Sequence, residues 1–372
     1  MGLTALQARA EGVGASHAAY ATDEYRGATS AARFTDPQAE FEALRTGCGI
    51  YDLGYRAKIS LTGGDRVRWL NGMLTNNIRD LGEGRGVYAF LLNPQGHILG
   101  DLFAYNRGES ITVDTDRSQT EKILATFEHY IIMDDVEVAD LSDSLTALGV
   151  AGPKSRHVLA ACGIEIPEIQ PLQTFDAKCG DAPCTVIRGE DVAHESYELW
   201  LAAADVRKIW DSLVSHGATP VGFEALELQR IVSGIPAYGV DIRERDLPQE
   251  TEQTRALNFN KGCYIGQEII ERIRSRGAVH RKFSAFLADG IAPIAPGNKI
   301  VAGDKDVGEI TSVASMRSGN SEQTIALGYI RREIATPGRE VMIASVKANV
   351  ASAPVTDHVL FGAETALQHH GA

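Results

Sequence analysis

Two landmarks recur along the chain at nearly one interval, and such a recurrence restricts the fold more than composition does. A short strand, Lys58 to Leu61, runs into Thr62-Gly63-Gly64. A second strand, Leu145 to Val150, runs into Ala151-Gly152-Pro153, which places Gly152 89 residues past Gly63. The helix start at Ser118 has its counterpart at Asp205, 87 residues on. The elements between these landmarks follow one order. In the first copy a helix carries Val67, Leu70 and Leu74, and strands at Val87 to Leu92 and Ile98 to Tyr105 are joined by the turn residues Asn93-Pro94-Gln95-Gly96. Ser118-Gln119-Thr120-Glu121 fits a capping box ahead of Ile123, Leu124, Phe127 and Ile131. In the second copy a helix carries Val158 and Leu159, strands follow at Cys184 to Ile187 and Tyr197 to Leu201, and a last helix buries Ile209, Trp210, Leu213 and Val214. The order predicts a duplicated α+β unit of split βαβ type, over about residues 55–140 and 145–235.

The flanks read differently. Residues 1–35 are rich in small side chains and show no period, which predicts a flexible extension. Asp36-Pro37 then opens a helix with Phe41 and Leu44 inside and Gly47 as its stop, and the α+β domain is expected over residues 36–276. From residue 277 to 350 short alternating segments are separated by Gly, Pro and Asn, the texture of a small all-β barrel, and residues 351–372 read as a tail.

With 44% hydrophobic and 23% charged residues in 372, the chain is able to bury a core, which excludes a disordered or collagen-like protein. Its formal charge of −13 argues against bulk nucleic-acid binding. No apolar run approaches the roughly 18 residues of a membrane span, and the start lacks the apolar stretch of a secretory signal. Five cysteines without a C-x-x-C pair fit a reduced, cytoplasmic protein with no structural metal.

Three places carry candidate chemistry. Lys261-Gly262-Cys263-Tyr264-Ile265-Gly266-Gln267-Glu268 sets one cysteine between two glycines, just ahead of a helix that begins near Gln267. Lys261 and the helix N-terminus would both favour the thiolate; the plainer reading is an inert cysteine in a tight turn. Glu198 on a strand and Arg230 on the helix from Phe223 to Ser233 are suited to a ligand with an amidine-like edge and a carboxylate tail, with Tyr88 and Tyr238 as aromatic walls. An ordinary salt bridge among core tyrosines explains the same residues. A basic run, Arg272, Arg274, Arg276, His280, Arg281 and Lys282, is either an anion site or a solvated hinge.

The K-G-C-Y-I-G-Q-E stretch resembles the signature of the YgfZ-type folate-binding proteins, which support assembly or repair of iron–sulfur clusters. L-T-G-G-D at 61–65, L-T-N-N-I at 74–78, N-P-Q-G-H-I-L-G-D-L at 93–102, P-V-G at 220–222, R-I-V-S-G-I-P at 230–236 and R-G at 276–277 agree in order, so the resemblance spans about residues 38–350. These proteins share a fold with the T-protein of glycine cleavage, a tetrahydrofolate-dependent aminomethyltransferase. The resemblance implies an α+β fold of duplicated, ferredoxin-like folate-binding lobes around a central channel, with a C-terminal all-β barrel. It implies tetrahydrofolate or another reduced folate as cofactor, and iron–sulfur client or assembly proteins as partners. Glu198 is similar to the pterin-anchoring carboxylate, Tyr88, Arg230 and Tyr238 to channel residues, and Lys261 and Cys263 to the functional residues of the signature. Gly100-Asp101 stands where T-proteins have an adjacent aspartate pair, which keeps Asp101 as a folate-site residue and argues against aminomethyl transfer. The expected function is therefore folate binding in iron–sulfur cluster maintenance. The alternatives are a T-protein-type aminomethyl- or methyltransferase, and an interaction protein with a vestigial folate pocket.

Overall fold

Alternation of apolar and polar residues along short strands builds most of this chain. The computed structural model describes residues 2–10, 20–190, 195–277, 279–318 and 321–351. These fall into two compact units, one of residues 1–92, 99–225 and 255–265, the other of residues 93–98, 226–254 and 266–372.

The first unit begins with β1 (Gly2–Leu3), α1 (Ala5–Ala10), β2 (Ala21–Tyr25) and β3 (Ala28–Arg33), and the three strands form a sheet in the order β1-β3-β2. The expected flexible extension is thus, in its described residues, a folded element. Leu6 joins the cluster that holds Ile209, Trp210 and Leu213, and Tyr25 stacks on Phe223 with ring centroids 4.5 Å apart. The small side chains that hide any period here leave Ala28, Ala31 and Ala32 buried. α2 (Pro37–Thr46) follows, starting after Asp36 and ending at Gly47 as its sequence requires. Its buried Glu40 accepts hydrogen bonds from the Phe34 N–H at 2.7 Å and the Gly222 N–H at 2.8 Å, which holds the N-terminal sheet in place.

Next come β4 (Gly49–Asp52), β5 (Arg56–Thr62), α3 (Arg66–Met73), β6 (Arg85–Leu92), β7 (Ile98–Asn106), β8 (Ile111–Asp116), α4 (Thr120–Tyr130) and β9 (Glu137–Asp140). The second copy runs through β10 (Leu145–Ala151), α5 (Ser155–Ala161), β11 (Thr174–Cys179), β12 (Ala182–Arg188), β13 (Ser196–Ala202), α6 (Val206–Ser215), β14 (Thr219–Pro220) and α7 (Phe223–Val232). The sheets have the orders β6-β7-β8-β5-β9 and β11-β12-β13-β10-β4-β14. Their first four strands correspond one to one, so the duplication legible at two landmarks extends through the topology. The capping box at Ser118 does not form. Residues 117–119 wind as a 3-10 turn and no side chain caps α4.

In the second unit α8 (Gln267–Arg276) precedes β15 (Arg281–Asp289), β16 (Lys299–Ala302), β17 (Lys305–Ser318), β18 (Ser321–Arg331), β19 (Glu340–Ile343) and β20 (Val346–Ala351). The strands close as β15-β18-β17-β16-β19-β20, with β20 pairing back onto β15. Phe286, Ile300, Ile310, Ile330, Val341 and Ile343 fill the interior. The tail expected from residue 351 lies, beyond Ala351 itself, outside the described residues. Among the described residues no helix is long and apolar enough to cross a membrane, and no group of three His, Cys, Asp or Glu is placed to hold a metal ion.

Candidate functional site

Side chains two apart on a strand share a face. On β13, Tyr197, Leu199 and Leu201 enter the core of the second sheet, while Trp200 belongs to a separate cluster with Tyr55, Tyr105, Tyr51 and Phe103. Glu198 lies on the Trp200 face, and its Oε2 accepts a hydrogen bond from the Trp200 indole N–H at 2.9 Å. The residue opposite Glu198 on β10 is Gly149, and Tyr51 of β4 is opposite Gly149 in turn. A Cβ at Gly149 would lie 1.9 Å from Tyr51 Cε2, so the missing side chain is what lets the phenol ring lie there. Glu198 keeps accessible surface but sits deep. Burial, then the charge of Asp114, raise its pKa above the ordinary glutamate value, and Lys58 and Arg56 offset only part of this.

The first sheet supplies those charges. Lys58 of β5 is fully buried, donates to Asp114 Oδ1 at 3.0 Å and lies 4.9 Å from the Trp200 ring centroid. Arg56 donates from Nε to Asp114 Oδ1 at 3.2 Å and from Nη1 to Asp116 Oδ1 at 2.7 Å. Burial alone would push the Asp114 carboxyl up, yet Arg56 and Lys58 outweigh it and hold the pKa below the ordinary aspartate value. The other Asp114 oxygen is buried with no hydrogen-bond partner.

Tyr88 and Asp101, both singled out from sequence, meet directly. The Tyr88 hydroxyl donates to Asp101 Oδ2 at 2.7 Å, and the Gln119 amide donates to Asp101 Oδ1 at 2.8 Å. Burial, then the neighbouring Asp116 charge, raise the Asp101 pKa, which makes it a better proton acceptor than an exposed aspartate. Arg255, ion-paired with Glu190, lies 4.4 Å from the Tyr88 ring centroid. Gly100 needs a different account from the one its sequence gives. A Cβ there would point at Gln119 Oε1, 3.0 Å away, and at Ile123 Cδ1, 3.5 Å away. A carboxylate at 100 would face Gln119 and the apolar stripe of α4, so glycine at this position removes nothing from the Tyr88–Asp101 contact.

Lys261 also departs from its expected role. Its ammonium is buried and donates to the carbonyls of Asn71 and, at 2.5 Å, Leu74, at the buried C-terminal end of the α3 hydrogen-bond ladder. Burial, reinforced by the Arg79 charge, lowers its pKa to about 7. Its charge therefore serves a helix C-terminus. Cys263 is exposed, whereas Cys48, Cys162, Cys179 and Cys184 are buried. Arg230 and Tyr238 belong to the second unit. All five Arg230 N–H groups are engaged there, with Glu227, Asp241, Ser312 and the Ile235 carbonyl, so no donor remains for a carboxylate tail. Tyr238 is half-buried and forms a bridge with Ile242.

Arg56, Lys58, Asp114, Trp200, Gly149 and Tyr51 escape the sequence reading. A signal for four of them is present as matched spacing: Arg-x-Lys at 56–58 against Asp-x-Asp at 114–116, and Glu-x-Trp at 198–200.

Residues 6–261 match the GCVT N-terminal domain, and residues 281–361 match the glycine cleavage T-protein C-terminal barrel domain. An aminomethyltransferase of Rubrobacter xylanophilus is 28% identical over 308 residues, 82% of each chain. One of Geobacillus kaustophilus is 25% identical over 345 residues, 90% of this chain and 94% of the relative. The crystal structure of the glycine cleavage system aminomethyltransferase T from Bartonella henselae gives a TM-score of 0.84 at 20% identity, covering 96% of this chain and 98% of that one, which is a likeness of fold. The chain belongs to the glycine cleavage T-protein family.

Proposed function

We propose that the protein is a tetrahydrofolate-dependent one-carbon transferase of the T-protein type, with its pterin-binding centre at Glu198. One observation carries this reading. Glu198 is a deep carboxylate whose one oxygen is held by the Trp200 indole, while the residue still presents accessible surface among aromatic rings. A carboxylate so held accepts two parallel hydrogen bonds from an amidine-like edge, and a pterin presents such an edge on a flat ring that stacks on aromatic walls. A bound reduced folate supplies the nitrogens that carry a one-carbon unit. The chain supplies orientation through Glu198 and Trp200, and a proton acceptor at Asp101, fixed by Tyr88 and Gln119. Glu198→Ala loses a charge-assisted pair, so its affinity for tetrahydrofolate is expected to fall roughly 10- to 150-fold. Calorimetry that finds the affinity unchanged sinks the assignment. Conversion of tetrahydrofolate and an aminomethylated lipoyl carrier protein to methylene-tetrahydrofolate, ammonia and the free dihydrolipoyl carrier, lost in Asp101→Asn, separates transfer from mere binding.

A second reading, support of iron–sulfur clusters in client proteins of a reducing compartment, is favoured by the exposure of Cys263 alone among the five cysteines. Cys263→Ala is expected to leave folding and folate affinity intact under either reading. Full rescue by this variant in cells lacking the protein excludes the cluster role.

A further inference from the structure

The second unit contains a cavity of about 460 Å³ that the folate reading leaves without a use. Tyr329 of β18 forms part of its wall, is only 5% exposed, and has a hydroxyl with no hydrogen-bond partner. Burial and the Asp246 carboxylate keep that phenol protonated, so it is a buried donor in the wall of the cavity without an acceptor.

Charge along the same wall is unevenly matched. Arg281 is satisfied by Asp246 at 2.6 Å and Glu250 at 3.0 Å, and Lys299 by Glu309 at 2.6 Å. Arg331 stands directly across from Arg281 in the β15–β18 ladder and shares the Tyr329 face of β18, two residues on. Like charges opposite one another in a ladder repel, and here the carboxylates serve only Arg281. Among the described residues the side chains of Arg331, Arg245 and His280, all exposed and all lining the cavity, have no acceptor within hydrogen-bonding distance. Asp306 opposes them on the wall, and Glu309, paired with Lys299, also attracts Arg245. The basic run noted in the sequence thus splits: Lys282 faces Glu252 at 3.4 Å, while His280 and Arg281 turn to this cavity.

We propose that the cavity binds a small oxyanion, a carboxylate or a phosphate group, whose charged oxygens meet Arg331 and Arg245 and one of whose oxygens accepts a hydrogen bond from the Tyr329 hydroxyl. A guanidinium offers paired donors matched to either group, which is why the chemistry is common to both. The site is independent of the folate assignment, since none of its residues is used there.

The test is calorimetric titration of the full-length protein at low ionic strength, with inorganic phosphate in one arm and glutarate in the other. Saturable binding of either probe is expected, weakened roughly tenfold or more by Arg331→Gln and also by Tyr329→Phe, which keeps the ring and removes only the hydroxyl. Tetrahydrofolate affinity and thermal unfolding should not change in Arg331→Gln. Binding of phosphate alone identifies a phosphoryl ligand, and binding of glutarate alone a carboxylate. Absence of saturable heat with both probes up to about 10 mM overturns the proposal, as does an affinity that Arg331→Gln leaves unchanged.

Discussion

The two copies of the duplicated unit solve one problem in opposite ways. Each places a carboxylate on the strand next to the opening strand of the copy. In the first, Asp114 of β8 lies opposite Lys58 of β5; in the second, Glu198 of β13 lies opposite Gly149 of β10. Lysine answers the first carboxylate within the fold, and Arg56 adds a second cation, so Asp114 stays ionised and closed to ligands. Glycine answers nothing. It admits the Tyr51 ring beside Glu198 and leaves a desolvated carboxylate held by the Trp200 indole. One topology thus yields a structural charge pair and, on the proposed reading, a binding centre, and the two differ in a single cross-strand neighbour.

Breaking the first pair should have the largest effect. Asp114→Ala leaves Lys58 fully buried without its counter-charge, and unfolding by denaturant is expected to show a loss of about 3–5 kcal/mol. Glu198→Ala should spare stability and instead cost about 1.5–3 kcal/mol of folate binding, so a variant that unfolds early but binds normally would dissolve the contrast. Gly149→Ala tests the neighbour itself. Its methyl group must displace the Tyr51 ring, which is expected to cost about 1–3 kcal/mol and to weaken folate binding with Glu198 still present. Acid provides the gentlest probe. The Asp114 contribution to stability is complete above 3.8 and is lost as pH falls through the lowered value. Glu198, raised above 4.5, contributes stability below that value and loses it as pH rises through the raised one. The pH dependence of unfolding should therefore change with opposite sign in Asp114→Asn and Glu198→Gln.

Much of this is legible in the sequence, and the exceptions share a cause. α2 is legible because Asp36-Pro37 and Gly47 bracket it, and the barrel strands because turn residues separate them. Glu198 is legible as a carboxylate on a strand. β8 is harder to see: Ile-Thr-Val-Asp-Thr-Asp alternates as if one face met water, yet all six residues are buried, because Arg56 and Lys58 arrive from β5 to neutralise that face. Arg230 and Lys261 show the reverse. A cation in a motif reads as a ligand contact until its own neighbours are known, and here those neighbours are carboxylates in one case and helix-end carbonyls in the other. Pairing across long separations is what local pattern cannot express.

The Lys261 anchor has a consequence for how the protein is made. It ties the 255–265 segment to α3 across 190 residues of chain, and residues 226–254 of the other unit are translated in between. A ribosome adds roughly 5–20 residues per second, so the chain through residue 225 waits about 2–8 s for residue 265 to be added. During that interval the terminal carbonyls of α3 lack their ammonium partner and the Tyr88 ring lacks Arg255. The duplicated lobes are therefore among the first parts synthesised and, of the first unit, the last to be finished.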